Sequence, residues 1–132
     1  MTSLTILGIE SSCDDTAAAV LRGQAGAAHV RSSVVMGQTA LHADFGGVVP
    51  EVASRAHLEA LIPVVSAAIT EAGILPSRVD VVAATAGPGL IGALLVGVSA
   101  AKSLALVWDK PFVGVNHLEA HLYAGLLDDP TL

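Results

Sequence analysis

Apolar and polar positions divide the chain into short runs at its start and longer helical periods further on. Leu4–Glu10 is an apolar run closed by an acid, the pattern of a buried central strand. Residues 11–16 form a polar turn in which five of the six side chains carry a hydroxyl or a carboxylate. The apolar pattern resumes at residues 17–21, so the whole predicts a β-hairpin. A second turn at residues 22–26 leads into a third strand over 27–36. Residues 37–50 hold His42, Asp44 and Gly46-Gly47 without a period, and read as a surface loop.

Val52, Leu58, Leu61, Ile62, Val65, Ile69 and Ala72 then recur at helical spacing, predicting a helix over residues 51–73 with Gly73 as its stop. Pro63 lacks an amide hydrogen and crowds the carbonyl of Glu59, which predicts a kink or break. Arg55 and His57 are candidate anion or tRNA contacts, but near a helix start they read as exposed residues. Residues 79–86, rich in Val and Ala, predict a fourth strand buried on both faces. Gly87-Pro88-Gly89-Leu90 turns the chain into a helix reaching about Trp108. Backbone amides at that helix start are a candidate anion site; equally, Gly89, Gly92 and Gly97 fit a helix packed closely on a sheet. Lys102 lies too far along the helix to reach the same anion. Residues 111–115 predict a fifth strand that delivers the chain into a last helix.

That last helix carries the most pointed chemistry. His117 and His121 stand one turn apart on one face, where two imidazoles can grip one transition-metal ion. Spacing alone fits equally a surface helix with two incidental histidines. Glu119 lies about 200° around the helix from His117 and points away from such a metal. The order therefore differs from His-Glu-x-x-His, whose Glu serves a metalloprotease as general base. A catalytic metal usually takes three protein ligands, so a third has to come from elsewhere. The turn at residues 11–16 is a second candidate. Its hydroxyls suit phosphate oxygens and its carboxylates suit a cation, although the same residues also favour an ordinary turn.

Composition narrows the classes. With 132 residues the chain suits one domain with a real core. It is 53% hydrophobic and 14% charged, more apolar than an average soluble domain, which suggests a face covered by something else. The net charge of −6 and six scattered Lys and Arg leave no basic patch, so this piece should not bind nucleic acid unaided. One cysteine, Cys13, excludes an internal disulfide and fits a reducing cytoplasm. The start has no signal-peptide pattern. Residues 81–101 are uncharged and long enough to raise a membrane span, but Gly87-Pro88-Gly89 interrupts them, and they read as strand, turn and helix.

The element order β-β-β-α-β-α-β-α implies a hairpin start followed by parallel strands. This α/β arrangement, a five-stranded mixed sheet with helices packed on it, resembles one lobe of the ribonuclease H-like fold of actin, Hsp70 chaperones and sugar kinases. In those, two lobes clasp a nucleotide. Four motifs then resemble one family over nearly the whole chain. They are Gly8-Ile9-Glu10-Ser11-Ser12-Cys13-Asp14-Asp15-Thr16, Gly46-Gly47-Val48-Val49-Pro50-Glu51-Val52-Ala53-Ser54-Arg55, Gly87-Pro88-Gly89-Leu90-Ile91-Gly92-Ala93-Leu94 and His117-Leu118-Glu119-Ala120-His121. The family is the TsaD family of universal tRNA threonylcarbamoyltransferases, formerly called O-sialoglycoprotein endopeptidase or glycoprotease.

The resemblance implies transfer of threonylcarbamoyl from threonylcarbamoyl-adenylate to the adenosine beside the anticodon, in tRNAs reading codons that begin with A. It implies a divalent metal on His117 and His121, iron or alternatively zinc. Asp14 and Asp15 would position groups or handle protons, and Ser11, Ser12, Gly87 and Gly89 would contact the donor. Implied partners are tRNA, a paralogous non-catalytic subunit and a small ATPase subunit, in the cytoplasm and without a membrane. The family is well over twice as long, so residues 1–132 are expected to be an N-terminal actin-like lobe. The nucleotide-binding Gly-rich loop and the third metal ligand are then expected in a second lobe, and this lobe alone is expected to be inactive. Two other readings remain: a metallo-glycopeptidase, as the older family name suggests, and a non-catalytic scaffold subunit.

Overall fold

A computed structural model describes residues 3–24 and 27–128, so the turn expected at residues 22–26 lies partly outside the described residues. Five strands form one sheet: β1 (Leu4–Glu10), β2 (Asp15–Gly23), β3 (His29–Gly37), β4 (Val81–Gly87) and β5 (Phe112–Asn116). Four helices accompany them: α1 (Thr39–His42), α2 (Pro50–Glu71), α3 (Ile91–Trp108) and α4 (His117–Asp128). The sheet order is β3-β2-β1-β4-β5. β1, β2 and β3 pair antiparallel, whereas β4 pairs parallel to β1 and β5 parallel to β4. This is the mixed sheet expected from a hairpin followed by two helical crossovers.

The pleat sorts side chains onto two faces. Leu7 and Ile9 of β1, Ala18 and Val20 of β2, and Val82 and Ala84 of β4 all turn to one face and are buried there. α2 covers that face with Leu61, Val64, Val65 and Ala68, and α3 with Ala101 and Ala105. The opposite face is largely open. Ile6, Gly8, Ala17, Ala19, Ala83 and Val115, with Ala120 of α4, border an apolar cavity of about 380 Å³. β4 is therefore buried on one face only, contrary to the expectation from its Val and Ala content.

α2 keeps the expected span but turns a different stripe inward. Its buried positions are Ala53, His57, Ala60, Leu61, Val64, Val65, Ala68 and Ile69. Leu58 and Ile62, expected in the core, are exposed, because small alanines at the contact let the helix axis approach the sheet. Pro63 does not break the helix. It faces solvent, as does Glu59, so water can satisfy the carbonyl that loses its partner. Gly73 takes a left-handed φ of 69° just past the helix, and its amide bonds to Thr70 O, as a helix stop requires.

α2 and α3 are both long and apolar enough to cross a membrane by length and composition. In this fold both pack on the sheet, and α3 does so through Ala93, Gly97, Ala101 and Ala105. Its other side leaves Leu95, Leu106 and Val107 exposed, so α3 is half-covered rather than buried all round. Lys102 sits over the Phe112 ring, away from the helix start, as its position suggested.

Two local expectations are corrected. The stretch before α2 is not a plain surface loop: it holds α1 and a 3-10 turn at Ala43–Phe45. His42 is buried there, accepting the Val49 amide at Nδ1 (3.1 Å), which leaves Nε2–H to donate to Gln38 Oε1 (2.9 Å). His57 is fully buried instead of exposed. Its Nε2–H donates to Cys13 O (2.8 Å) and its Nδ1 accepts from Thr16 Oγ1 (2.7 Å), so α2 clamps both sides of the hairpin turn. Arg55 is exposed, as expected.

Candidate active site

The parallel strands β1, β4 and β5 end side by side, and the candidate chemistry gathers at their carboxyl ends, where α/β sheets collect ligands. β5 passes directly into α4. Asn116 caps that helix, its Oδ1 accepting the amides of Leu118 (2.9 Å) and Glu119 (3.1 Å). The cap fixes the direction of the first turn, and with it the His117 side chain. His121 follows one turn later, with its Nε2 only 3.0 Å from Nε2 of His117. Two imidazole nitrogens bound at about 2.05 Å to one tetrahedral metal lie about 3.3 Å apart. A shift of a few tenths of an ångström would bring this pair to that separation, so the two side chains fit one metal.

Glu10, at the end of β1, supports His117 from the other side. Its Oε1 accepts the Ser12 amide (2.5 Å), and its Oε2 accepts from Thr85 Oγ1 (2.5 Å) and faces His117 Nδ1 at 3.2 Å. Burial pushes the Glu10 carboxyl up, but hydrogen bonds from Ser12, Thr85 and His117 outweigh it and hold the group below its ordinary 4.5. It is therefore a carboxylate at neutral pH. Ser12 Oγ also lies 3.3 Å from His117 Nδ1. Among the described residues, no group of three or more His, Cys, Asp or Glu is placed to hold a metal ion.

The remaining candidate residues divide sharply. Ser12 belongs to the cluster, since it touches both Glu10 and His117. Ser11 does not. It is buried under α3, donating to Ala93 O (2.7 Å) and accepting the Gly97 amide (3.1 Å), so its hydroxyl is committed to holding the helix. Gly89 is pressed against Ser12, where an added Cβ would stand 2.6 Å from Ser12 O. The next amide, Leu90 N, already bonds to Ser12 O (2.8 Å), and Gly87 pairs with Asn116 across β4 and β5. Close packing thus accounts for Gly89, whereas a Cβ on Gly87 would meet nothing within 4 Å and its positive φ of 157° is what favours glycine there. Asp14 and Asp15 sit on the hairpin turn with Asp15 exposed and Asp14 partly so. Partial desolvation, followed by the charges of Asp14 and Asp15, pushes the neighbouring Cys13 thiol up, which makes it a poor nucleophile.

Sequence reasoning did not single out Glu10 or Thr85, and it read His57 as an exposed candidate contact. An acid closing an otherwise apolar strand was a signal for Glu10, because a charge there needs partners. His57 was signalled by its place on the stripe Ala53, His57, Ala60, Leu61. Nothing local marked Thr85.

The family model described as tRNA N6-adenosine threonylcarbamoyltransferase matches residues 29–132. The tRNA N6-adenosine threonylcarbamoyltransferase of Thermosynechococcus vestitus is 58% identical over 127 residues, which is 96% of this chain and 35% of that one. The protein of the same name from Jannaschia sp. is 62% identical over 127 residues, again 96% and 35% of the two chains. The chain thus spans about a third of the length of these curated relatives. Among solved structures, YeaZ from Pseudomonas aeruginosa superposes with a TM-score of 0.67 at 22% identity, covering 96% of this chain and 49% of YeaZ. At that identity the likeness is one of fold.

Proposed function

Because the chain belongs to the tRNA N6-adenosine threonylcarbamoyltransferase family, we propose that it is the metal-binding N-terminal lobe of a tRNA-modifying transferase. The reaction proposed for the whole protein moves threonylcarbamoyl from threonylcarbamoyl-adenylate to the adenosine beside the anticodon. The amine of that adenosine attacks the carbamoyl carbon, the bond to the phosphate oxygen breaks, AMP leaves, and the amine proton is released. The product is a urea-type linkage. Substrate tRNAs are those reading codons that begin with A, in the cytoplasm. The working assembly contains the paralogous non-catalytic subunit and the small ATPase subunit.

The observation that carries this reading is the convergence of His117 and His121 nitrogens at 3.0 Å, beside strand ends that also present Glu10 and Ser12. His117 and His121 would hold the metal, iron or alternatively zinc, with a further ligand and the nucleotide site supplied by the second lobe. When bound, such a metal supplies Lewis-acid polarisation of donor oxygens. Asp14 and Asp15, on the turn beside Ser12, hold or receive a proton near the attacked group, and Ser12 helps to orient the donor. Burial of Ser11 and close packing of Gly89 give these two a structural part, seating α3 and the turn that leads into it. The peptidase reading lacks a base: Glu119 is exposed, and the acid in contact with His117 lies on Nδ1, already holding three donors.

The test uses the full-length protein with its partner subunits, threonylcarbamoyl-adenylate and unmodified tRNA. Transfer of labelled threonine into tRNA is compared between wild type and His117→Ala/His121→Ala. Loss of transfer in a folded double variant is expected. Persistent transfer would show the histidine helix to be structural, and no transfer in wild type would restore the peptidase and scaffold readings.

A further inference from the structure

We propose that Glu10 is the positioning residue of the histidine pair, holding His117 in the tautomer with hydrogen on Nδ1 so that Nε2 keeps its lone pair for a metal. This inference rests on the metal reading given above and deepens it.

Three observations carry it. First, both Glu10 oxygens already accept hydrogen bonds, from the Ser12 amide and the Thr85 hydroxyl, so Glu10 is placed as an acceptor and the His117 Nδ1 that faces its Oε2 at 3.2 Å carries the hydrogen. A neutral imidazole with hydrogen on Nδ1 has its lone pair on Nε2, the nitrogen that meets His121. Second, Glu10 is held fast. Thr85 of the neighbouring strand donates to the same oxygen that faces His117, and the Ser12 amide donates to the other. A carboxylate pinned on two sides sets the imidazole plane rather than following it. Third, both partners stand on rigid elements, Glu10 ending β1 and His117 opening the capped helix α4. Metal-binding histidines commonly donate their second ring N–H to a carboxylate in this way, and losing the acceptor typically costs 10–100-fold in metal affinity.

Glu10 is not itself a further ligand of the same ion. It lies against Nδ1, while the histidines converge through Nε2. The nearby Ser12 hydroxyl, 3.3 Å from the same Nδ1, can give or take a hydrogen and so cannot choose the tautomer alone. That choice falls to Glu10.

The experiment uses the full-length protein with its histidines labelled with nitrogen-15. In metal-free wild type, the ring-nitrogen spectrum of His117 is expected to report hydrogen on Nδ1. Glu10→Ala should mix the two tautomers, and Glu10→Gln, which keeps an acceptor oxygen, should retain more of the original. Hydrogen on Nε2 in wild type would overturn the proposal without any variant. Affinity for Fe²⁺ and Zn²⁺, by chelator competition, should fall about 10–100-fold in Glu10→Ala, and less in Glu10→Gln. If His117→Ala/His121→Ala loses the metal while both Glu10 variants keep wild-type affinity, this proposal fails and the metal reading stands. If the double variant keeps the metal, the metal reading itself has failed.

Discussion

Two glycines of the helix that follows β4 differ in what a methyl group would meet, and this predicts a graded response to alanine. At Gly92 the new Cβ would stand 2.6 Å from Ser54 Oγ, the tip of a hydroxyl bonded only to Pro50 O on an exposed helix turn. That hydroxyl can rotate away. At Gly97 the Cβ would collide with Ser11 Oγ and stand 3.2 Å from Ser11 Cβ. Ser11 is buried, and its hydroxyl already links Ala93 O and Gly97 N, so it has nowhere to go.

Both positions lie inside α3, so each alanine gains the same helix propensity of about 1 kcal/mol, which cancels in the comparison. What remains at Gly97 is overpacking of about 1–3 kcal/mol, along with weakening of two buried hydrogen bonds at about 1 kcal/mol each. Gly97→Ala should therefore be less stable than Gly92→Ala by about 2–4 kcal/mol, with Gly92→Ala equal to or above wild type. For a protein of several hundred residues this separates the melting midpoints by roughly 3–5 °C. Thermal melting of both full-length variants in one buffer reads the difference. Equal midpoints would refute the claim that α3 is seated on Ser11 through Gly97.

Two further outcomes follow from the same interior. His57→Phe keeps an aromatic ring, slightly larger, but strands Thr16 Oγ1 and Cys13 O, so a stability loss of about 2–4 kcal/mol is expected by denaturant titration; His57→Gln should lose less. Pro63→Ala restores an amide to an exposed turn of α2 and should stabilise by about 1–2 kcal/mol, a gain reduced because proline also restricts the unfolded chain; a lower melting midpoint would count against the continuous helix.

Much of the fold was legible because its signals are local. The hairpin turn at residues 11–16, the glycine stop at Gly73 and the turn Gly87-Pro88-Gly89 each act through backbone chemistry within a few residues. They place the elements in order, and a strand–helix–strand order implies parallel pairing. The His117/His121 pair was equally readable, since a spacing of one helical turn is enough to put both on one face.

What only the tertiary structure decided is where each face points and what stands across from it. The inward stripe of α2 is chosen by how closely the sheet lets the helix approach, so Leu58 and Ile62 yield to Ala53 and Ala60 despite their greater hydrophobicity. β4 is covered on one face because α2 and α3 lie on the same side, a choice its own residues do not encode. Glu10 and His117 are 107 positions apart and meet only because β1 and β5 both end beside β4. Spacing along the chain governs contacts within one element. Contacts between elements depend on sheet order and helix seating, which are settled when the whole core packs at once.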